Sequence, residues 1–130
     1  MNIPCVLLVE TDGLVRAPLA QYLRECGYQV LEAVNADEAR RLLSSGEWGI
    51  DVVLTEVESL GESGFRLGTW IRRTYPSVVV ILAGSVARAA EKAGDLCEEG
   101  PTLSKPYDHR VVLDRIRSLL AARKRTTEKD

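Results

Sequence analysis

The chain lacks several features that would point to particular classes of protein. It has no apolar run near the about 18 residues of a membrane span. Its N-terminus has no charged region followed by an apolar block and a small-residue cleavage site, so no signal peptide is expected. Neither sign of charge dominates: the formal net charge is -2 and the pI near 5.5, which leaves no electrostatic case for nucleic acid or an anionic membrane. Cys5, Cys26 and Cys97 are odd in number and form no CxxC pair. They are expected to be reduced thiols acting as small hydrophobes in a cytoplasmic protein. The lone histidine, His109, is expected at the surface rather than as a ligand or a phosphorelay group. There is no internal repeat and no interdomain linker. At 130 residues and 45% apolar content, the chain is one domain with ample material for a single core.

What is present alternates between two periods. Cys5 to Val9 is an unbroken apolar strand. Asp12 is a candidate N-cap for a helix carrying Val15, Leu19, Tyr22, Leu23 and Cys26. Gly27 stops that helix, and Pro18 is expected to bend it locally. Tyr28 to Leu31 is a second short strand. Asn35 and Glu38 form a capping-box-like start to a helix lined by Ala39, Leu42 and Leu43. Val52, Val53 and Leu54 are too short a run for a helix and suit a strand buried on both faces, with Glu56 at its C-terminal end. Gly61 and Gly64 punctuate the following loop. A third helix starts near Gly64, with Leu67 and Ile71 facing the sheet and Pro76 closing the segment.

Val78 to Ala83 is an apolar fourth strand, followed by an alanine-rich helix from Gly84 to Ala93 that Gly94 is expected to stop. Asp95 to Gly100 reads as loop and Pro101 to Ser104 as a short edge strand. Asp108 caps a last helix striped by Val112, Leu113, Ile116, Leu119 and Leu120. Residues 123–130 read as a solvated charged tail, leaving 1–122 as the domain. Trp48 and Trp70 read as packing or partly exposed aromatics and not as a cofactor box. Alternation of this kind implies right-handed crossovers and a parallel sheet covered on both faces. Ligands of such sheets bind beyond the carboxyl ends of the strands, where Glu56 stands.

The run Val6-Leu7-Leu8-Val9-Glu10, the strand Asp51 to Thr55 with its terminal acid, and Leu103-Ser104-Lys105-Pro106-Tyr107 resemble the receiver domains of bacterial two-component response regulators. The resemblance spans about Cys5 to Leu120. It implies a flavodoxin-like (βα)5 three-layer α/β sandwich whose five-stranded sheet has the order 2-1-3-4-5. It also implies a role in phosphorelay signalling. There a histidine kinase's phosphoryl group passes to an aspartate at the end of the third strand, with Mg²⁺ neutralising the phosphoryl oxygens.

Carried over residue by residue, the resemblance places Glu10 at the first metal-binding acid, Thr11 at the second, and Glu56 at the phosphoacceptor. Glu58 supplies the metal-binding carbonyl, Ala83 stands at the hydroxyl switch, and Thr102 replaces the switch aromatic. Lys105, before Pro106, is the phosphoryl-pairing lysine. Ser59-Leu60 stands where Met-Pro is usual. Thr11 removes one anion from a site that depends on charge and strict geometry. Glu56 is longer than aspartate by roughly 1.3 Å, and phosphoryl transfer tolerates misplacement of ~1 Å poorly. Asp12 can either cap its helix or turn inward to Glu10 and Glu56 and restore a distorted Mg²⁺ site. Lys105 is either a surface residue or the inward ion-pair partner of Glu56.

The first expectation is therefore a receiver without enzyme activity, with weak or absent Mg²⁺ and no other cofactor, that acts unphosphorylated as a protein-interaction module. The alternatives are a working phosphoacceptor using Glu56, or a hydroxyl such as Thr55 or Ser59, and a flavin or nucleotide binder. The last lacks the glycine loop it would need after the first strand. The partners implied are a histidine kinase, a phosphotransfer protein or a downstream effector, or a second copy across the fourth helix, last strand and fifth helix. Arg88, Lys92, Arg110, Asp114 and Arg117 would rim that face.

Overall fold

The computed structural model describes residues 3–57 and 63–99. The last strand and last helix expected from the sequence, the charged tail, and Glu58, Thr102 and Lys105 lie outside these residues. So do Arg110, Asp114 and Arg117.

Four parallel strands, β1 (Cys5–Val9), β2 (Gln29–Ala33), β3 (Ile50–Glu56) and β4 (Val79–Ala83), form a sheet in the order β2-β1-β3-β4. β1 and β3 occupy its middle, which explains their β-branched and leucine-rich runs: every residue of β1 is buried. The β1–β3 register slips between Cys5 and Val6, and Asp51, the residue passed over, accepts the Cys5 N–H on its carboxylate at 2.8 Å. The four helices are α1 (Gly13–Glu25), α2 (Ala36–Ser44), α3 (Gly64–Thr74) and α4 (Val86–Glu99).

Local chemistry sets most of the helix ends. Asp12 caps α1, its carboxylate accepting the Leu14 N–H at 2.9 Å. Gly27 follows the end of that helix with φ 102°, a conformation that suits glycine. Asn35 caps α2 by accepting the Glu38 N–H, and Glu38 reaches back to the Val34 N–H. Ser63 caps α3. Pro18 lies within α1, which continues past it to Glu25.

α2 and α3 cover one face of the sheet, burying Ala36, Ala39, Leu43, Leu67 and Ile71 against Leu7, Val9 and Val53. On that side Arg40 lies over the Trp70 ring, whose edge meets Tyr75. α1 covers the opposite face with Val15, Leu19, Tyr22 and Leu23, and α4 packs beside it through Ala90, Ala93, Leu96 and Cys97. None of the helices among the described residues is long and apolar enough to cross a membrane.

Two expectations are corrected here. Gly94 does not stop the fourth helix, which runs on to Glu99. A glycine costs a helix only about 1 kcal/mol relative to alanine, and the turn beyond it is held by burial of Leu96 and Cys97 and by the Tyr28 hydroxyl, which donates to the Leu96 carbonyl. Nor are the three cysteines all free thiols: Cys26 and Cys97 form a disulfide, while Cys5 is free and buried. Spacing could not reveal the pair, because it depends on α4 sharing a face with α1.

Candidate functional site

The C-terminal ends of β1 and β3 are adjacent, with Val9 level with Thr55. Glu10 follows β1 directly and Glu56 is the last residue of β3. Glu10 is held by backbone on both sides: its N–H donates to the Ala33 carbonyl, and its carbonyl accepts the Arg16 guanidinium at 2.8 Å. Arg16 in turn pairs with Glu32 of β2, as does Arg24. Glu56 is positioned from its other side. Its neighbour Val57 donates to the Ala83 carbonyl, and the Gly64 N–H at the start of α3 donates to the Val57 carbonyl at 2.7 Å.

The side chains meet in an arrangement the sequence did not reveal. The Thr11 hydroxyl donates to Glu56 Oε1 at 2.6 Å, and the Thr11 N–H approaches the same oxygen at 3.4 Å. Thr11 is therefore a partner of Glu56 and not merely a missing acid. The signal available was one of size: a side chain shortened at one position faces one lengthened at the other.

Glu10 is only 7% exposed, and its Oε2 has no hydrogen-bond partner among the described residues. Burial, then its hydrogen bond to Glu56, then the charges of Glu56 and Asp12 push its carboxyl from 4.5 up to about 8, while the Thr11 N–H works in the opposite direction. The two facts agree if Glu10 is the protonated partner. Two carboxylates offer only acceptors, and a proton on Glu10 turns their contact into a hydrogen bond.

Asp12 makes its cap to Leu14. No group of three or more His, Cys, Asp and Glu side chains among the described residues is placed to hold a metal ion. Ala83 is buried at the end of β4. The first hydroxyl after it, Ser85, accepts the Arg88 N–H at the start of α4. Thr55 is 2% exposed and bonds the Glu56 carbonyl.

A cavity of about 210 Å³ opens beside the acids. It is floored by Leu8, Leu19 and Leu54, edged by Glu10 and Glu56, and walled by Ala83 to Val86 and Ala89.

The profile of the response regulator receiver domain matches residues 6–117. The chain belongs to that family. Among curated relatives it is 28% identical to the transcriptional regulatory protein AruR of Pseudomonas aeruginosa over 121 residues, covering 91% of this chain and 50% of AruR. A crystal structure of a receiver protein from Pseudomonas putida is 27% identical, with a TM-score of 0.56, over 94% of this chain and 98% of that one. A similar match, 28% identical with a TM-score of 0.56 over 62% and 68% of the two chains, is to a structure of the histidine kinase ThkA in complex with the response regulator TrrA. The chain spans half or less of the length of the curated relatives it matches. The flavodoxin-like architecture expected from the sequence agrees with these likenesses and with the observed 2-1-3-4 order.

Proposed function

We propose that this receiver domain works in two-component signalling without being phosphorylated, as a protein-interaction module. The observation that carries this reading is the Thr11–Glu56 hydrogen bond. The carboxylate at the acceptor position already has a close donor at 2.6 Å. The donor set does not fit Mg²⁺, which demands near-octahedral oxygen ligands: the Thr11 hydroxyl stands where an anion would be needed and is turned to Glu56, and Asp12 serves its helix cap. Ala83 offers no hydroxyl to a phosphoryl group. Burial of Thr55 argues against that side chain as a substitute acceptor.

The partner is a protein of the signalling pathway: a kinase, a phosphotransfer protein or an effector. The kinase–regulator complex among the similar structures supports a surface of this fold being read by proteins. A charged rim that includes exposed Arg88, paired with Glu91, and half-buried Lys92 belongs to this reading.

The test is incubation with acetyl phosphate and Mg²⁺, followed by intact mass and by NMR with Mg²⁺ and beryllofluoride. The expected result is no phosphoryl adduct and no shift at Glu10, Thr11 or Glu56. A stable adduct mapped to Glu56 or Ser59 would overturn the proposal and favour a working phosphoacceptor.

A further inference from the structure

The three cysteines are divided by the sheet. Cys5 lies in the core under α2 and α3, whereas Cys26 and Cys97 lie in the core under α1 and α4. The odd count therefore resolves into one closed pair and one thiol that cannot exchange with it while the sheet is intact. The pair joins the C-cap of α1 to the end of α4 across 71 residues of chain. The Leu96 carbonyl, one residue away, is held by the Tyr28 hydroxyl.

Among the described residues the rest of α4 is held by small side chains: Ala90 and Ala93 are buried, and Val86 and Ala89 partly buried, in the cluster that contains Leu54 of β3 and Ala83 of β4, and a methyl group removes little apolar area from water. Its first turn does something different. Val86 and Ala89 form one wall of the cavity beside Glu10 and Glu56. One helix is thus fastened covalently at its far end and covers the candidate site with its near end.

We infer that the Cys26–Cys97 bond is a redox-controlled staple: intact, it keeps α4 docked on α1 and the cavity walled; reduced, it lets α4 leave and opens the cavity. The reductant is a dithiol. One of its thiolates attacks a sulfur of the pair and forms a mixed disulfide, and its second thiolate displaces that bond. Two electrons and two protons pass to the protein, the S–S bond becomes two thiols, and the dithiol leaves as its own cyclic disulfide. Both cysteines are closed to water, at 0% and 1% exposure, so attack must wait for the last turn of α4 to open. This device does not depend on whether the domain accepts phosphate.

The test uses the full chain, oxidised or held in dithiothreitol, with thiols counted after denaturation and amide hydrogen exchange followed along the sequence. The oxidised protein should show one thiol and the reduced protein three. Reduction should speed exchange at residues 86–99 at least tenfold and leave α2 and α3 within twofold. Cys97→Ser should give the fast pattern under both conditions, and reduced wild type supplies the same comparison if that variant folds poorly. Three thiols after oxidation, unchanged exchange in α4 on reduction, or equal loosening of α2 and α3 would each overturn the proposal.

Discussion

Glu10 and Glu56 are two acids brought together at the ends of β1 and β3, where burial and the neighbouring Glu56 raise the Glu10 carboxyl and the Thr11 hydroxyl bonds Glu56. The consequence is a pH dependence of definite sign. The folded Glu10 carboxyl is held up at about 8 against an ordinary value of 4.5, so between those values the folded chain binds a proton the unfolded chain has lost. Its favourable contribution is complete at and below the ordinary value, declines as pH rises through that window, and is gone above about 8. Stability from urea unfolding should fall, by at most about 4 kcal/mol, between pH 5 and pH 8.5 through this group. Glu10→Gln, which keeps the shape and supplies a permanent donor to Glu56, should flatten the profile and leave the variant more stable than wild type at pH 8.5. A wild-type profile that is flat or rises over this range would show that Glu10 is ionised in the fold. The sequence identified both acids as site residues, but not the upward shift of the Glu10 carboxyl. That follows from Glu10 being buried, and burial of a side chain beyond a strand end is decided by what packs over it.

Among elements, the junction of β3 and α3 carries Glu56. Gly64 looks like loop punctuation in the sequence, yet a Cβ there would lie 2.1 Å from the Glu56 carbonyl oxygen and 3.0 Å from its carbon. Both are backbone atoms and cannot swing aside. Gly64→Ala must therefore push α3 away from the end of β3, taking with it the Gly64–Val57 hydrogen bond. It should cost about 3 kcal/mol and disturb the Glu56 signals in an NMR spectrum. Gly49→Ala, with open space around its added methyl, should stay within about 0.5 kcal/mol of wild type. Equal stability of the two variants would mean that α3 can shift freely. Element ends set by capping were legible in advance: Asp12, Asn35 and Gly27 act over two to four residues, within reach of a linear reading. The end of α4 was not, because long-range burial of Leu96 and Cys97 outweighs the local preference of Gly94.

For the molecule as a whole, the disulfide closes a loop of 71 residues that begins at the end of α1 and encloses β2, α2, β3, α3, β4 and most of α4. Restricting the unfolded chain over that length contributes about 4 kcal/mol. Reduced wild type and Cys26→Ala/Cys97→Ala should both lose an amount of that order in urea unfolding relative to the oxidised protein. A loss below about 1 kcal/mol would place the pair outside the stability of the fold. The sequence by itself determined the alternation of strands and helices, the burial of β1 and β3, and the position of Glu56 at a strand end. Those follow from period, β-branching, caps and the fixed hand of crossovers, all of which act locally or as general rules. Only the tertiary structure decided that Thr11 serves Glu56 across 45 residues, that burial raises the Glu10 carboxyl, and that α4 lies beside α1 so that Cys97 meets Cys26. The reason is physical: the partner of a buried polar atom or a thiol is set by which surfaces pack together, and the spacing of residues along one chain does not encode that choice.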